Sequence, residues 1–441
     1  MGRKPLDVEP LAIDLVMSED LARKKVLAKK IFDLAYKHGI YPSSIHEFYM
    51  ARGRGEFSGF TVPAINLRSL TYDLAKAIFR VAKRNNCGAF IFEIAKSEMG
   101  YTAQPPLEYA SVVLAAAIKE EYSGPVFIQA DHTQVNAKKY AQDPDKELEG
   151  LQALIADAIG AGFYNIDIDS STLVDLSQPT VKKQQYHNYE ACAKLTQFIR
   201  RIEPRGITVS VGGEIGEVGH QNSTPEDLRA FMEGYRERLR KGLVGISKIS
   251  IQTGTSHGGV VLPDGTIAQV KLDFDTLKNL SELARKEYGL GGAVQHGAST
   301  LPQEAFHTFA ECETCEVHLA TEFQNMIYES KHFPPELKGK IYEWLKVGAA
   351  DEKKEGETEE QFFYKTRKKA LGPFKKEIMG MRRELREAIA LEIENRFEFL
   401  FKQLNCINNK PLVDKCVTLK RVISRKREDK PEVVHDGEGA D

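Results

Sequence analysis

The sequence predicts a (β/α)8 TIM barrel with helical N- and C-terminal extensions, and three observations predict it. Eight short β-rich runs follow one another between residues 60 and 321. Helix-patterned stretches separate them, and polar side chains able to bind a metal recur at the ends of runs whose middles read as apolar.

Residues 1–58 read as a helical extension, because LARKKVLAKKIFDLAYKHG spaces apolar residues as a helix does and stops at Gly39. The strand rhythm then starts with FTVPAIN (60–66), AFIFEIA (89–95), VFIQAD (126–131) and NIDID (165–169). It continues with TVSVGGE (208–214), KISIQTG (248–254), GAVQHG (292–297) and CEVHLAT (315–321). Stretches such as LTYDLAKAIFRVAKR and EGLQALIADAIGAG between the runs carry helical periodicity. Strand-helix alternation implies parallel strands joined by crossover helices, and eight such units close a barrel; an open doubly wound sheet is the alternative. The barrel is expected over 59–330. Residues 331–441 form a charged extension, irregular over 331–375 around Pro334, Pro335 and DEKKEGETEE. A long helix follows over 375–404, then a frayed tail.

Composition limits the function. With 42% hydrophobic and 28% charged residues, the 441-residue chain can build a large core. A net charge of -2, from 61 basic and 63 acidic residues, argues against a nucleic-acid-coating surface. No apolar run reaches the roughly 18 residues that span a bilayer, and the N-terminal stretch has no signal-peptide pattern. Six cysteines are few for this length and suit a reducing cytoplasm; Cys312 and Cys315 form a CxxC without a second pair and read as ordinary thiols.

Active sites of such barrels lie at the C-terminal strand ends. Those ends deliver Asn66, Ser97, Asp131-His132, Asp169-Ser170, Glu214, His257, His296 and His318 in turn. His132, His257 and His296 are three of 11 histidines, and all three follow a strand. Three imidazoles that leave a coordination position open are a catalytic zinc set, and zinc there polarises a carbonyl. Gly258 and Gly297 follow two of these histidines and let the backbone approach an anion, with Ser299 close by.

From about 60 to 325 the residues resemble the class II, zinc-dependent fructose-bisphosphate and tagatose-bisphosphate aldolases. TVPAIN resembles that family's first strand, and QADH its aspartate-histidine motif. GEIG resembles its glutamate segment, GTSHGG its second histidine motif, and QHGAST its third. The resemblance implies a metal-dependent aldolase that cleaves or forms a C–C bond in a phosphorylated ketose. His132, His257 and His296 would be zinc ligands, and Glu214 an alternate or supporting position. Asp131 would transfer the substrate's proton, and Gly297 and Ser299 would meet a phosphate. It also implies a soluble, cytoplasmic homo-oligomer of carbohydrate metabolism, taking a small sugar phosphate and neither nucleic acid nor membrane. An epimerase on the same metal, or a non-catalytic aldolase subunit, are the alternatives.

The chain departs from the pattern on strand 8. His318 and Ala320 stand where the family carries an asparagine and an aspartate, so a shifted substrate with His318 in contact is expected. After Glu214, Gln221 and Asn222 stand near where acids are expected, with Glu217 and Glu226 the nearest carboxylates. YKTRKKALGP resembles the family's C-terminal arginine segment and would bring Arg367 to a distal phosphate.

Overall fold

The computed structural model describes residues 7–216, 221–254 and 272–422. A strand that the sequence reading did not anticipate comes first, β1 (Ile40–Ser43). The eight expected strands follow: β2 (Val62–Asn66), β3 (Ile91–Ala95), β4 (Gly124–Gln134), β5 (Asn165–Asp169), β6 (Ser210–Glu214), β7 (Lys248–Ile251), β8 (Ala293–Gln295) and β9 (Glu316–Leu319). Each pairs in parallel with its successor, and β9 returns to β2 with Val62 beside Glu316. The ring of eight is closed and helices surround it, as a (β/α)8 barrel requires.

β1 is a ninth strand outside the ring. It pairs with the first residues of β4, from Ile40 beside Gly124 to Ser43 beside Phe127, below the point where β5 begins to pair at Gln129. Gly39, with φ of +73°, turns the chain out of the helix Leu21–Lys37 and into β1. The strand is short and contains Pro42, which suits an edge and hides it from a periodicity search.

The crossover helices follow from their sequences. In Thr71–Arg84, Leu74, Ile78 and Val81 lie on one face and are fully buried. In Pro225–Arg238, Thr224 and Asp227 cap the first turn reciprocally. The stretch 331–375, expected to be irregular, contains the helices Pro335–Gly348 and Glu359–Thr366; their apolar positions Leu337, Ile341, Leu345, Phe362 and Phe363 are buried despite the charge around them.

The chain ends meet on the first barrel helix. Arg386, on the helix Arg383–Gln403, pairs with the fully buried Asp73 at 2.6 Å and with Glu9 at 3.4 Å. Arg80 and Arg84 both reach Glu394 on the same long helix. Among the described residues, no helix is long and apolar enough to cross a membrane.

Candidate active site

The C-terminal ends of β4, β5, β6 and β8 converge on one pocket. Adjacent residues of a regular strand face opposite sides, so Asp131 and His132 should point apart. They do not. The pairing of β4 with β5 shifts register between Ala130 and Thr133, and His132 takes a φ of +40°. This bulge re-aims the chain, so both side chains reach the same pocket. A non-glycine residue in the left-handed region is strained, and such strain concentrates at functional sites.

Asp131, His132 and His296 each offer a ligand atom, and these atoms lie within 4.8 Å of one another. The ring centroids of His132 and His296 are 4.2 Å apart. His132 Nδ1 is 3.4 Å from Asp169 Oδ2 and 3.6 Å from Glu214 Oε2, and these three residues form a second compact donor set. His296 Nε2 is 3.0 Å from Ser250 Oγ on β7, which fixes the ring. The structure thus brings Asp131, His132, His296 and Glu214 together, and adds Asp169. Two imidazoles among buried carboxylates are a donor set that suits a divalent transition cation. His257, Gly258 and Glu217 lie outside the described residues.

The other sequence candidates are distributed differently. Asn66 is buried, and its amide donates to Glu98 Oε2 at 2.5 Å. Ser97 is half-buried on the helix Lys96–Tyr101. Gly297, with φ of +68°, turns the chain after β8, and Ser299 Oγ accepts from the Ala320 amide at 2.7 Å, leaving its own proton free to donate. Glu226 is exposed on Pro225–Arg238, Gln221 is exposed, and Asn222 donates to Asp273. Arg367 is buried, with Glu329 at 2.5 Å and Asn325 at 2.7 Å, so its charge is already matched.

His318 lies among the barrel's inner side chains, 4% exposed, between carboxylates on both sides of its ring. That placement does not favour the expected substrate contact. The expectation of apolar strand middles fails with it. Glu93, Gln129, Asp167, Lys248 and Glu316 all point into the barrel and are buried. Lys248 Nζ donates to Gln129 Oε1 and Asp167 Oδ2 at 2.8 Å each and to Glu316 Oε1 at 2.5 Å. Gly212, in register with Asp167, makes room for this cluster: a Cβ there would fall 2.3 Å from Asp167 Oδ1. The sequence signal was a charge at an inward position of a short β run, as in FIFEIA or NIDID.

Titration reflects this crowding. Burial, reinforced by Asp131, pushes the Glu93 carboxyl up to about 8, and burial with Asp169 does the same to Glu214. Asp131 is held well below the usual range: burial opposes this, but His132 and His318 outweigh it. His132 is raised well above an ordinary imidazole, because Asp131 and Asp169 overcome the burial penalty. A pocket negative enough to hold a proton on a buried histidine is one that attracts a dication.

Comparison with known proteins agrees with this picture. The family profile described as "Fructose-bisphosphate aldolase class-II" matches residues 54–391. A fructose-bisphosphate aldolase of Giardia intestinalis is 23% identical over 206 residues, which cover 44% of this chain and 49% of that protein. The chain thus spans about half the length of the curated relative it matches. Among solved structures, a probable tagatose 6 phosphate kinase from Sinorhizobium meliloti 1021 shares the fold, with a TM-score of 0.54, 14% identity, and coverage of 80% of this chain and 99% of that one. A putative fructose-1,6-biphosphate aldolase from Coccidioides immitis aligns more loosely, with a TM-score of 0.46, 18% identity, and coverage of 82% and 96%.

Proposed function

The chain belongs to the class II fructose-bisphosphate aldolase family, and we propose from this premise that it is a zinc-dependent aldolase that cleaves or forms a C–C bond in a phosphorylated ketose. The observation that carries the reading is the pocket at the mouth of the barrel, where Asp131, His132 and His296 place donor atoms within 4.8 Å of one another. His132 and His296 would hold the cation, with His257 as third ligand and Glu214 or Asp169 as an alternate. A bound divalent cation supplies Lewis acidity, which lowers the cost of negative charge on a substrate oxygen.

The chain's own residues do the rest. In the cleavage direction Asp131 accepts the proton of the hydroxyl next to the breaking bond. That C–O becomes a carbonyl, and the electron pair of the C–C bond moves toward the ketone end. Asp131 suits this role by its placement, buried beside His132 and His296. Gly297 and Ser299 would meet the phosphate, and Gly258, Asn66 and Ser97 are the further substrate-binding candidates. Ala320 cannot accept a hydrogen bond through its side chain, so the substrate would be a ketose phosphate held differently from fructose 1,6-bisphosphate.

The test combines metal analysis with a coupled cleavage assay across ketose mono- and bisphosphates. About one zinc per chain, lost in His132→Ala, His257→Ala and His296→Ala, together with cleavage of one panel member, is the expected result. Wild-type zinc content in all three variants would refute the ligand set, and no cleavage of any member would refute the activity.

A further inference from the structure

The barrel interior holds more charge than the proposed chemistry uses. Glu93 on β3, Asp131 on β4, Asp167 on β5 and Glu316 on β9 are all buried, and a single imidazole, His318 on β9, stands among the four. Its Nδ1 lies 2.9 Å from Glu93 Oε2 and 3.2 Å from Asp131 Oδ1. Its Nε2 lies 2.8 Å from Glu316 Oε1 and 3.8 Å from Asp167 Oδ2. The two lower carboxylates have a second cation, since Lys248 contacts Asp167 at 2.8 Å and Glu316 at 2.5 Å. Glu93 and Asp131 meet at His318. The ring can span that distance because its register neighbour on β2 is the small Ala64, which is also the register neighbour of Ile91 on β3.

We propose that Glu93 and His318 are positioning residues for Asp131: Glu93 fixes the imidazole, and the imidazole holds the Asp131 carboxylate in the orientation that faces the substrate's hydroxyl. The inference rests on the proton-transfer role given to Asp131 above. A substrate contact by His318 fits the geometry less well. Both ring nitrogens already face carboxylates within 3.2 Å, and an anionic sugar group would have to displace one of them. The rings of His318 and His296 are 4.1 Å apart, so this support stands directly beneath the metal ligands. Orienting partners of this kind are worth about ten- to a hundredfold in activity at comparable sites.

The test uses the zinc-loaded full chain and the ketose phosphate of the panel that turns over fastest. Glu93→Ala and His318→Ala should each lower kcat about tenfold or more, with KM within about twofold and zinc content unchanged. Glu93→Gln, which keeps an acceptor facing the ring, should recover most of the Glu93→Ala loss. The double Ala variant should be no worse than His318→Ala alone, because Glu93 acts through the imidazole. A raised KM at unchanged kcat, multiplying losses in the double variant, or wild-type kcat in Glu93→Ala would each overturn the proposal. Failure of every panel substrate would overturn the aldolase reading instead. In that event, and equally if the Ala variants do not fold, nuclear magnetic resonance of the Glu93→Leu protein, which keeps the bulk of the side chain but removes its acceptor, decides. A shift of the His318 ring nitrogens together with the Asp131 carboxyl carbon supports the coupling, and unchanged Asp131 signals overturn it.

Discussion

Replacing Lys248 by Met tests whether the charge in the barrel floor is as tightly matched as its distances imply. Met keeps the length and apolar stem but removes the ammonium that Gln129, Asp167 and Glu316 share. Removing one partner of a buried ion pair costs about 3–5 kcal/mol, because the remaining charge is left uncompensated. Two carboxylates lose a partner here, but two features limit the loss. His318 remains 2.8 Å from Glu316, and burial already pushes Asp167 up to about 6, so it can take a proton near neutrality. The expected loss is therefore about 4 kcal/mol. At roughly 2.1 cal/mol/K per residue, a chain of this size unfolds with an entropy near 0.9 kcal/mol/K, so Tm should fall by about 4 °C if unfolding is a single step. Calorimetry of the metal-free protein at pH 7 measures it. The loss should shrink below pH 6, where Asp167 becomes neutral, and Lys248→Met with Glu316→Gln should be more stable than Lys248→Met alone. A Tm within about 1 °C of the parent, or a further fall in the double variant, would refute the reasoning.

Three further outcomes follow from the site. Asp131→Asn should keep its zinc and lose at least about 100-fold in kcat; a loss of only a few-fold would remove Asp131 from proton transfer. Zinc affinity of the metal-free protein, measured by chelator competition, should rise with pH from 6 through 8. The His132 proton, held by the surrounding carboxylates, and the Glu214 proton, held up to about 8 by burial, must both leave before these groups ligate; a flat profile would contradict that. Lys248 lies on the sixth barrel strand but is held as an ammonium by Asp167 and Glu316 against the burial penalty, so borohydride with a ketose phosphate should trap no adduct; mass spectrometry showing one on Lys248 would overturn this.

The barrel was legible because its two periods are local: a β-rich run or an amphipathic helix can be seen within a dozen residues. Three features were not local. β1 is four residues long and becomes a strand only because β4 begins pairing with β5 higher up. The bulge that brings Asp131 and His132 to one pocket depends on that same pairing, so alternation along QADH alone predicts that they diverge. Asp169 appeared in the sequence as a strand end but became a candidate ligand only once its carboxylate was placed beside His132.

The interior charge is a fourth non-local feature, and it bears on what the chain does. Glu93, Asp167, Lys248 and Glu316 each look like an isolated misfit in a short apolar strand. Only closure of the ring makes them neighbours. Even then Lys248 and His318 are two cations facing four buried carboxylates, so the negative charge is incompletely matched. The deficit adds to burial in keeping a proton on Glu93 to about 8, and Asp131 with Asp169 keeps one on His132 despite burial. Burying unmatched charge costs several kcal/mol per group, which a barrel serving only as a scaffold would avoid with apolar side chains of similar size. A dication held at the mouth by His132 and His296 would balance the field, and His132 would have to give up its proton to ligate, since the same nitrogen lone pair is needed for both. Proton and metal would then be alternative occupants of one negative pocket, the electrostatic arrangement that the proposed metal-dependent chemistry calls for.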